Sequence, residues 1–333
     1  MRRALIIIAS VVVSALLLWL ALRNVPLQDI GASISKANPA WLLFGFIWIS
    51  AGLWTRGERW RGLMGFRSPA LKTSNILNIG FMLNLLPLRA GEVVRSLLAT
   101  RVGVPFMTAA TSVVVERMID TLLVVLALVW AISRLPNAAP EIVGPTTTFG
   151  VLVVMVFLVL IFFARFPKIG HQALSFAVRV FPFLKRLPLE RQFDHVLDGL
   201  KPLMHLKNAV HAIVWTLISW GISVLTIWAL IQALGITGVD QFLLAILGLC
   251  LASFSIAVPV TLAALGPFQI ALLVAGQSVG LSEAESLSLG FLFHGINILG
   301  YIVWGMVGLF AMGISLGDVM SVNKDQKIGE ETA

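Results

Sequence analysis

Cysteine and charge are what this chain has least of. A single cysteine, Cys250, excludes any internal disulfide, and one thiol inside an apolar run reads as packing rather than chemistry. Charged residues make up only 12% of the 333 residues, against about 25% in soluble domains. That scarcity excludes an ordinary soluble globular protein. The chain also lacks a Walker-type phosphate loop, and its five histidines are dispersed. No second acidic motif joins Asp194 and Asp198 to complete a diphosphate–Mg²⁺ site. No cofactor is expected. What is present is apolar: 58% of the residues, with a mean hydropathy of +0.95. The composition is that of a polytopic membrane protein. The net charge of +8 lies in segments beside apolar runs, which is the pattern of orientation signals and anionic-lipid contact, not of nucleic-acid binding.

Met1-Arg2-Arg3 precedes an uninterrupted apolar run from Ala4 to Leu22. A cleaved leader has an apolar core of about 7–15 residues, so this longer run is expected to be a retained first span. Further candidate spans are 40–55, 106–132, 147–164, 209–233, 241–262 and 286–312. The stretches 75–88 and 264–280 are short and broken by Pro or Gly, as re-entrant elements are. The expected fold is all-α: a membrane helical bundle of about seven or eight transmembrane helices plus two broken segments. It forms one domain over 1–312, with halves 1–164 and 209–312 around a cytoplasmic amphipathic segment, 165–208, and a polar tail, 313–333.

Basic residues crowd 56–72 and 165–208, whereas 135–146 and 234–240 have none. The positive-inside rule therefore places the N-terminus and both basic segments in the cytoplasm, in the cytoplasmic (inner) membrane. In 165–208, residues such as Leu174, Phe176 and Phe183 alternate with basic ones, suggesting helices lying on the cytoplasmic leaflet. Arg191 and Asp194 suit an exposed i, i+3 pair there. A weak internal repeat runs through the two halves: Pro87, Gly91 and Gly103, then Glu116 and Arg117; and Pro259, Gly266 and Gly280, then His294. Paired interrupted segments of this kind point to a transport site between repeats, with Pro87, Gly91, Pro259 and Gly266 as hinges.

The densest chemistry lies between Asn75 and Asp120. Charged side chains at membrane depth are costly and usually face a cavity or a partner. Arg89, Glu92 and Arg95 recur at i, i+3, i+6, so on a helix they form one net positive stripe. Arginine forks bind phosphate or carboxylate in a bidentate way, which suits an anionic phospholipid head group; Asn78 and Asn84 lie upstream as further polar contacts. Glu116 and Asp120 fall about 15 and 20 Å into the next span, near mid-bilayer, with Arg117 between them. Arg117 and Asp120 can pair, and the remaining carboxylate is expected to meet Arg89 or Arg95. A second reading makes the whole cluster a buried ionic clasp. Gln269 and Gln277 suit a cavity wall. His294 and Asn297 share a helix face, suited to a helix–helix hydrogen bond or to proton coupling.

Arg56-Gly-Glu-Arg-Trp-Arg-Gly-Leu63, Asn84-Leu-Leu-Pro-Leu-Arg-Ala-Gly-Glu-Val-Val-Arg95 and Val115-Glu-Arg-Met-Ile-Asp120 also carry a resemblance. They resemble the motif series of the flippase-like family, also called the lysylphosphatidylglycerol synthase transmembrane-region or UPF0104 family. The likeness spans roughly 5–312 and marks Asn84, Pro87, Arg89, Gly91, Glu92, Arg95, Glu116, Arg117 and Asp120. Where the family usually has Glu after a Gly-rich turn, Leu265-Gly-Pro-Phe-Gln269 has Gln. The resemblance implies lipid translocation, with no soluble synthase domain after Met312 and no expected enzymatic activity. The alternatives are a non-catalytic membrane partner of a lipid-modifying enzyme and an intramembrane lipid-group transferase.

Overall fold

The computed structural model describes residues 2–86, 90–135, 140–180, 189–256 and 262–317. Pro87, Arg89, Pro259 and most of the expected polar tail lie outside them, as does the Arg191 side chain. Among the described residues every regular element is helical. In chain order these are α1 (Arg2–Leu22), α2 (Leu27–Ser35), α3 (Pro39–Leu63), α4 (Ala70–Leu83), α5 (Ala90–Thr100), α6 (Phe106–Ser133) and α7 (Pro140–Arg165). There follow α8 (Pro167–Val180), α9 (Leu189–Leu200), α10 (Leu206–Ala233), α11 (Gln241–Ile256), α12 (Pro267–Ser278) and α13 (Glu283–Met312).

Local signals set these boundaries. Asn38 caps α3 by accepting from the Ala40 amide, with Pro39 in the first turn. Ser282 and Glu285 form a capping box at the start of α13, which ends at the left-handed Gly313. Three helical segments, Thr147–Arg165, Leu206–Ala233 and Glu283–Met312, are long and apolar enough to cross a membrane; α1 and α2, bent by 83°, make a fourth if the pair is one span. The helices α3 and α6, of 25 and 28 residues, match these in length but carry the charged residues. The apolar run 241–262 is helical only to Ile256 among the described residues. Its 16 residues rise roughly 24 Å, short of a bilayer core of about 30 Å.

The long helices α3 and α10 pack along each other, α4 packs on α13, and α6 packs on α11. Polar stitches join the first pair: the Ser219 hydroxyl donates to Thr55 Oγ1 (2.9 Å) and Arg56 donates to Ser223 Oγ (2.9 Å). One apolar core gathers α10–α13, and a second gathers the end of α3 with α4, α5 and the start of α6. The charged residues lie where the two cores meet.

The short helices α4 and α5 form a hairpin packed at near-backbone distance. Gly91 does not make a bend; it sits in the first turn of α5, and a Cβ there would stand 1.9 Å from the Gly80 carbonyl oxygen. Gly266, by contrast, has φ of 93° and starts α12, a conformation open to glycine. The amphipathic segment also departs from expectation. Instead of lying on the leaflet alone, α9 buries Leu197 and Leu200 against α6, α7 and α10.

Two outcomes test this frame. Gly91→Ala should cost about 3 kcal/mol or more through overpacking against backbone; thermal unfolding followed by size-exclusion should show early loss of the monodisperse protein. His171 on α8 faces an acceptor at each ring nitrogen, the Pro167 carbonyl (2.8 Å) and Asp194 (2.7 Å). Both contacts need the imidazolium, and the Pro167 carbonyl first, then Asp194, holds the imidazole above its ordinary value. The α8–α9 tether is therefore complete below about pH 6.5 and is lost as pH rises through the raised value. Amide exchange in α9 should quicken between pH 6 and 8 beyond the intrinsic rate, and His171→Ala should remove that extra step.

Candidate functional site: a buried arginine–carboxylate cluster beside a cavity

The site is assembled around Glu116, a fully buried carboxylate halfway along α6. Arg59 from α3 stands 3.2 Å from its Oε1, Arg95 from α5 stands 3.1 Å from its Oε2, and Arg117 stands 2.6 Å from its Oε1. Three guanidiniums from three helices thus converge on one side chain. One turn further, Asp120 takes the other arm of Arg59 at 2.5 Å and accepts from the Trp220 indole of α10 at 3.0 Å. Arg117 also reaches Asp120 (3.5 Å) and Glu92 (3.9 Å). Arg95 lies over the Trp60 ring, 4.9 Å from its centroid, and Trp60 donates to Ser112 of α6.

The leftover carboxylate does meet Arg95. The partner that the sequence reading missed is Arg59, fully buried and shared between both carboxylates. Arg56 and Arg59 had been assigned to a basic loop after a span ending at 55. Instead α3 continues for two more turns, to Leu63, and carries them inward. Their i, i+3 spacing within Arg56-Gly-Glu-Arg-Trp was the available signal. Trp220 was missed because it lies inside the apolar run 209–233 with no charged neighbour to mark it.

A cavity of about 390 Å³ opens beside the cluster. Its wall is drawn from both halves of the chain: Arg56, Asn84, Arg95 and Arg117 on one side, Phe268 and His294 on the other. Four guanidiniums, those of Arg56, Arg59, Arg95 and Arg117, face three carboxylates, those of Glu92, Glu116 and Asp120. Arg56 is the one cation of the four with no carboxylate within ion-pair distance among the described residues. It donates to Ser223 and lies 5.9 Å from the Phe81 ring centroid, and its Nη1 has no hydrogen-bond partner. Asn84 Oδ1 and Arg95 Nε are also buried without partners. Buried polar atoms without partners are rare and call for an explanation.

The second broken segment closes the opposite wall. Gln269, fully buried, accepts from the Gly266 amide (2.8 Å) and donates to His294 Nδ1 (3.0 Å), while His294 Nε2 donates to the Ala263 carbonyl (2.8 Å). This fixes one neutral tautomer. The Phe268 ring stacks on His294 at 4.6 Å. Asn297 donates to the Phe293 carbonyl and accepts from Tyr301, whose ring stacks on Phe81. The ends of the two hairpins touch, the Ala263 amide donating to the Leu85 carbonyl at 3.2 Å. Gln277 bonds Glu283 at the surface, away from this cavity. Asp194 and Asp198 pair with His171 and Lys201.

An ionic cluster walled by long apolar helices is the mark of a multi-pass membrane protein with an internal polar site. The chain belongs to the family described as the lysylphosphatidylglycerol synthase TM region, whose model matches residues 7–305. That family is a membrane-region domain associated with lipid handling of the lysylphosphatidylglycerol synthase kind. No curated protein and no solved structure matches the chain.

Arg59 is shared between two carboxylates, and its removal leaves Asp120 with only the longer Arg117 contact (3.5 Å) and the Trp220 indole. Arg59→Met should destabilise by about 3–5 kcal/mol and abolish monodisperse protein. Adding Asp120→Asn, which removes the carboxylate left with the weakest partner, should restore part of the folded yield, measured by size-exclusion in detergent.

Proposed function

We propose that this protein is a non-enzymatic lipid translocase, taking the anionic head group of a phospholipid into the central cavity and passing it across the cytoplasmic membrane. The observation that carries this is Arg56: a half-buried, cavity-lining arginine whose Nη1 has no hydrogen-bond partner, beside described cations that already have carboxylates. An arginine with no carboxylate within ion-pair distance among the described residues, with the Asn84 amide in the same cavity wall, suits a phosphodiester. The lower wall, with Phe81, Tyr301 and Phe268, is apolar enough for glycerol and the first methylenes.

The architecture supports the same reading. Helices of 25, 14, 11 and 28 residues (α3–α6) are followed by helices of 28, 16, 12 and 30 residues (α10–α13). We read these as a two-fold repeat, each half a long helix, a re-entrant hairpin and a second long helix, with α1, α3, α6, α7, α10 and α13 crossing the membrane. Positive-inside orientation puts the N-terminus in the cytoplasm. Then α3 ends near Arg61, Arg67 and Lys72, basic residues that the rule places in the cytoplasm, whereas α10 begins after the cytoplasmic segment 165–208. The halves therefore run in opposite senses, an inverted repeat of the kind that places a transport site at its interface.

Translocation of head-group-labelled phospholipids in proteoliposomes tests this. Arg56→Gln keeps the polarity of the site and removes its charge, so transport should fall by about tenfold or more at unchanged folded yield, the effect of losing one charge-assisted hydrogen bond. Wild-type rates in that variant would sink the proposal.

A further inference from the structure

Helix α6 divides two different environments along its length. Asp120 and Val124 face the charged cavity, while Val114, Met118 and Leu122 face a second cavity of about 520 Å³ on the other side. This second space is walled almost wholly by apolar side chains, with Val156 and Phe157 from α7, Leu174 from α8, and Phe193 from α9. Two residues line both spaces: Arg117 and Thr121, four apart and so on one stripe of α6. The charged cavity and the apolar groove are therefore neighbours across a single helix edge, not separate features.

We propose that a phospholipid straddles this edge, with its phosphate in the charged cavity and one acyl chain in the groove between α6, α7, α8 and α9. The inference rests on the head-group reading above and adds where the chain lies and how the lipid enters. Three observations argue for an acyl chain as the occupant. The groove's size is that of a ligand pocket, about 300–1,000 Å³. Its walls offer a chain apolar contact and almost nothing polar except at the Arg117–Thr121 end. Arg117 is 38% exposed; its guanidinium binds Glu116 on the cavity side while its stem borders the groove, the posture of a side chain at a polar–apolar boundary. The apolar faces of α8 and α9 then have a second task besides packing: they roof the chain from the cytoplasmic side.

The test is photolabelling of the full chain in vesicles, using phosphatidylglycerol with a diazirine in mid-chain and, separately, diacylglycerol with the same diazirine. Labelled residues are mapped by peptide mass spectrometry. The phosphatidylglycerol probe should label Met118 and Phe157 about tenfold more than the diacylglycerol probe, the discrimination expected of about 1.4 kcal/mol from the phosphate. Val156→Trp, which fills the groove from an exposed position on α7, should suppress labelling at Met118; Leu158→Trp, exposed on the same helix but outside the groove, should not. Equal labelling by diacylglycerol, or Met118 labelling that persists in Val156→Trp, overturns the proposal. Groove labelling without translocation would overturn the transport reading alone, and translocation without groove labelling would overturn the straddling lipid alone.

Discussion

A carboxylate with no exposure to solvent, Glu116, sets the terms for everything around it. An isolated charge in such a place is prohibitively costly, and the protein meets that cost with guanidiniums brought from α3, α5 and α6 itself. Each of those arginines then needs its own compensation, which brings in Asp120, Glu92, Trp60 and Trp220. The packing of α3, α5, α6 and α10 is thus constrained by one polar network, because moving any helix by an ångström or two would strand a charge. Apolar contacts between helices are poor at fixing register in lipid, where the tails are as apolar as the side chains. The ionic network supplies that register. The clasp and the site therefore overlap: Arg95 and Arg117, two of the three arginines that neutralise Glu116, also line the cavity.

Much of this was legible in the sequence, and the failures have physical causes. Membrane class, the all-helical fold and the cluster from Glu92 to Asp120 followed from charge scarcity and spacing. The ends of helices did not. Span length was inferred from apolarity, so α3 was stopped at 55, where its charges begin. In a bundle with a polar interior, charge marks a change of face, not the end of a helix, and Arg56 and Arg59 lie past the lipid-facing part of α3 on its inner side. Gly91, read from spacing as a hinge four residues after Pro87, lies within α5, where its missing Cβ admits the Gly80 carbonyl. Nothing in one-dimensional spacing reveals that α9 docks its apolar face on α6 and α7, since an amphipathic helix fits a lipid surface and a protein groove equally well.

The substitution at Gln269 acquires a meaning from its contacts. The side chain must accept from the Gly266 amide and donate to a neutral His294 at the same time. An amide can do both, and an ionised carboxylate can only accept. Gln269 and the single tautomer of His294 are therefore one choice, and the Gly266–Gln269–His294–Ala263 link is made without a charged group. The two walls of the cavity differ in kind as a result: one ionic and strongly held, the other neutral and held by ordinary hydrogen bonds.

The Leu85–Ala263 contact, where the two hairpins meet, is made by main-chain atoms. A single such bond contributes about 1 kcal/mol net, within reach of thermal fluctuation. The ionic network nearby costs several times more to open. The hairpin tips are consequently a weak seam beside a strong rivet. A side-chain substitution at Leu85 or Ala263 leaves this main-chain bond in place, whereas one at any of the paired arginines or carboxylates deletes its own ion pair.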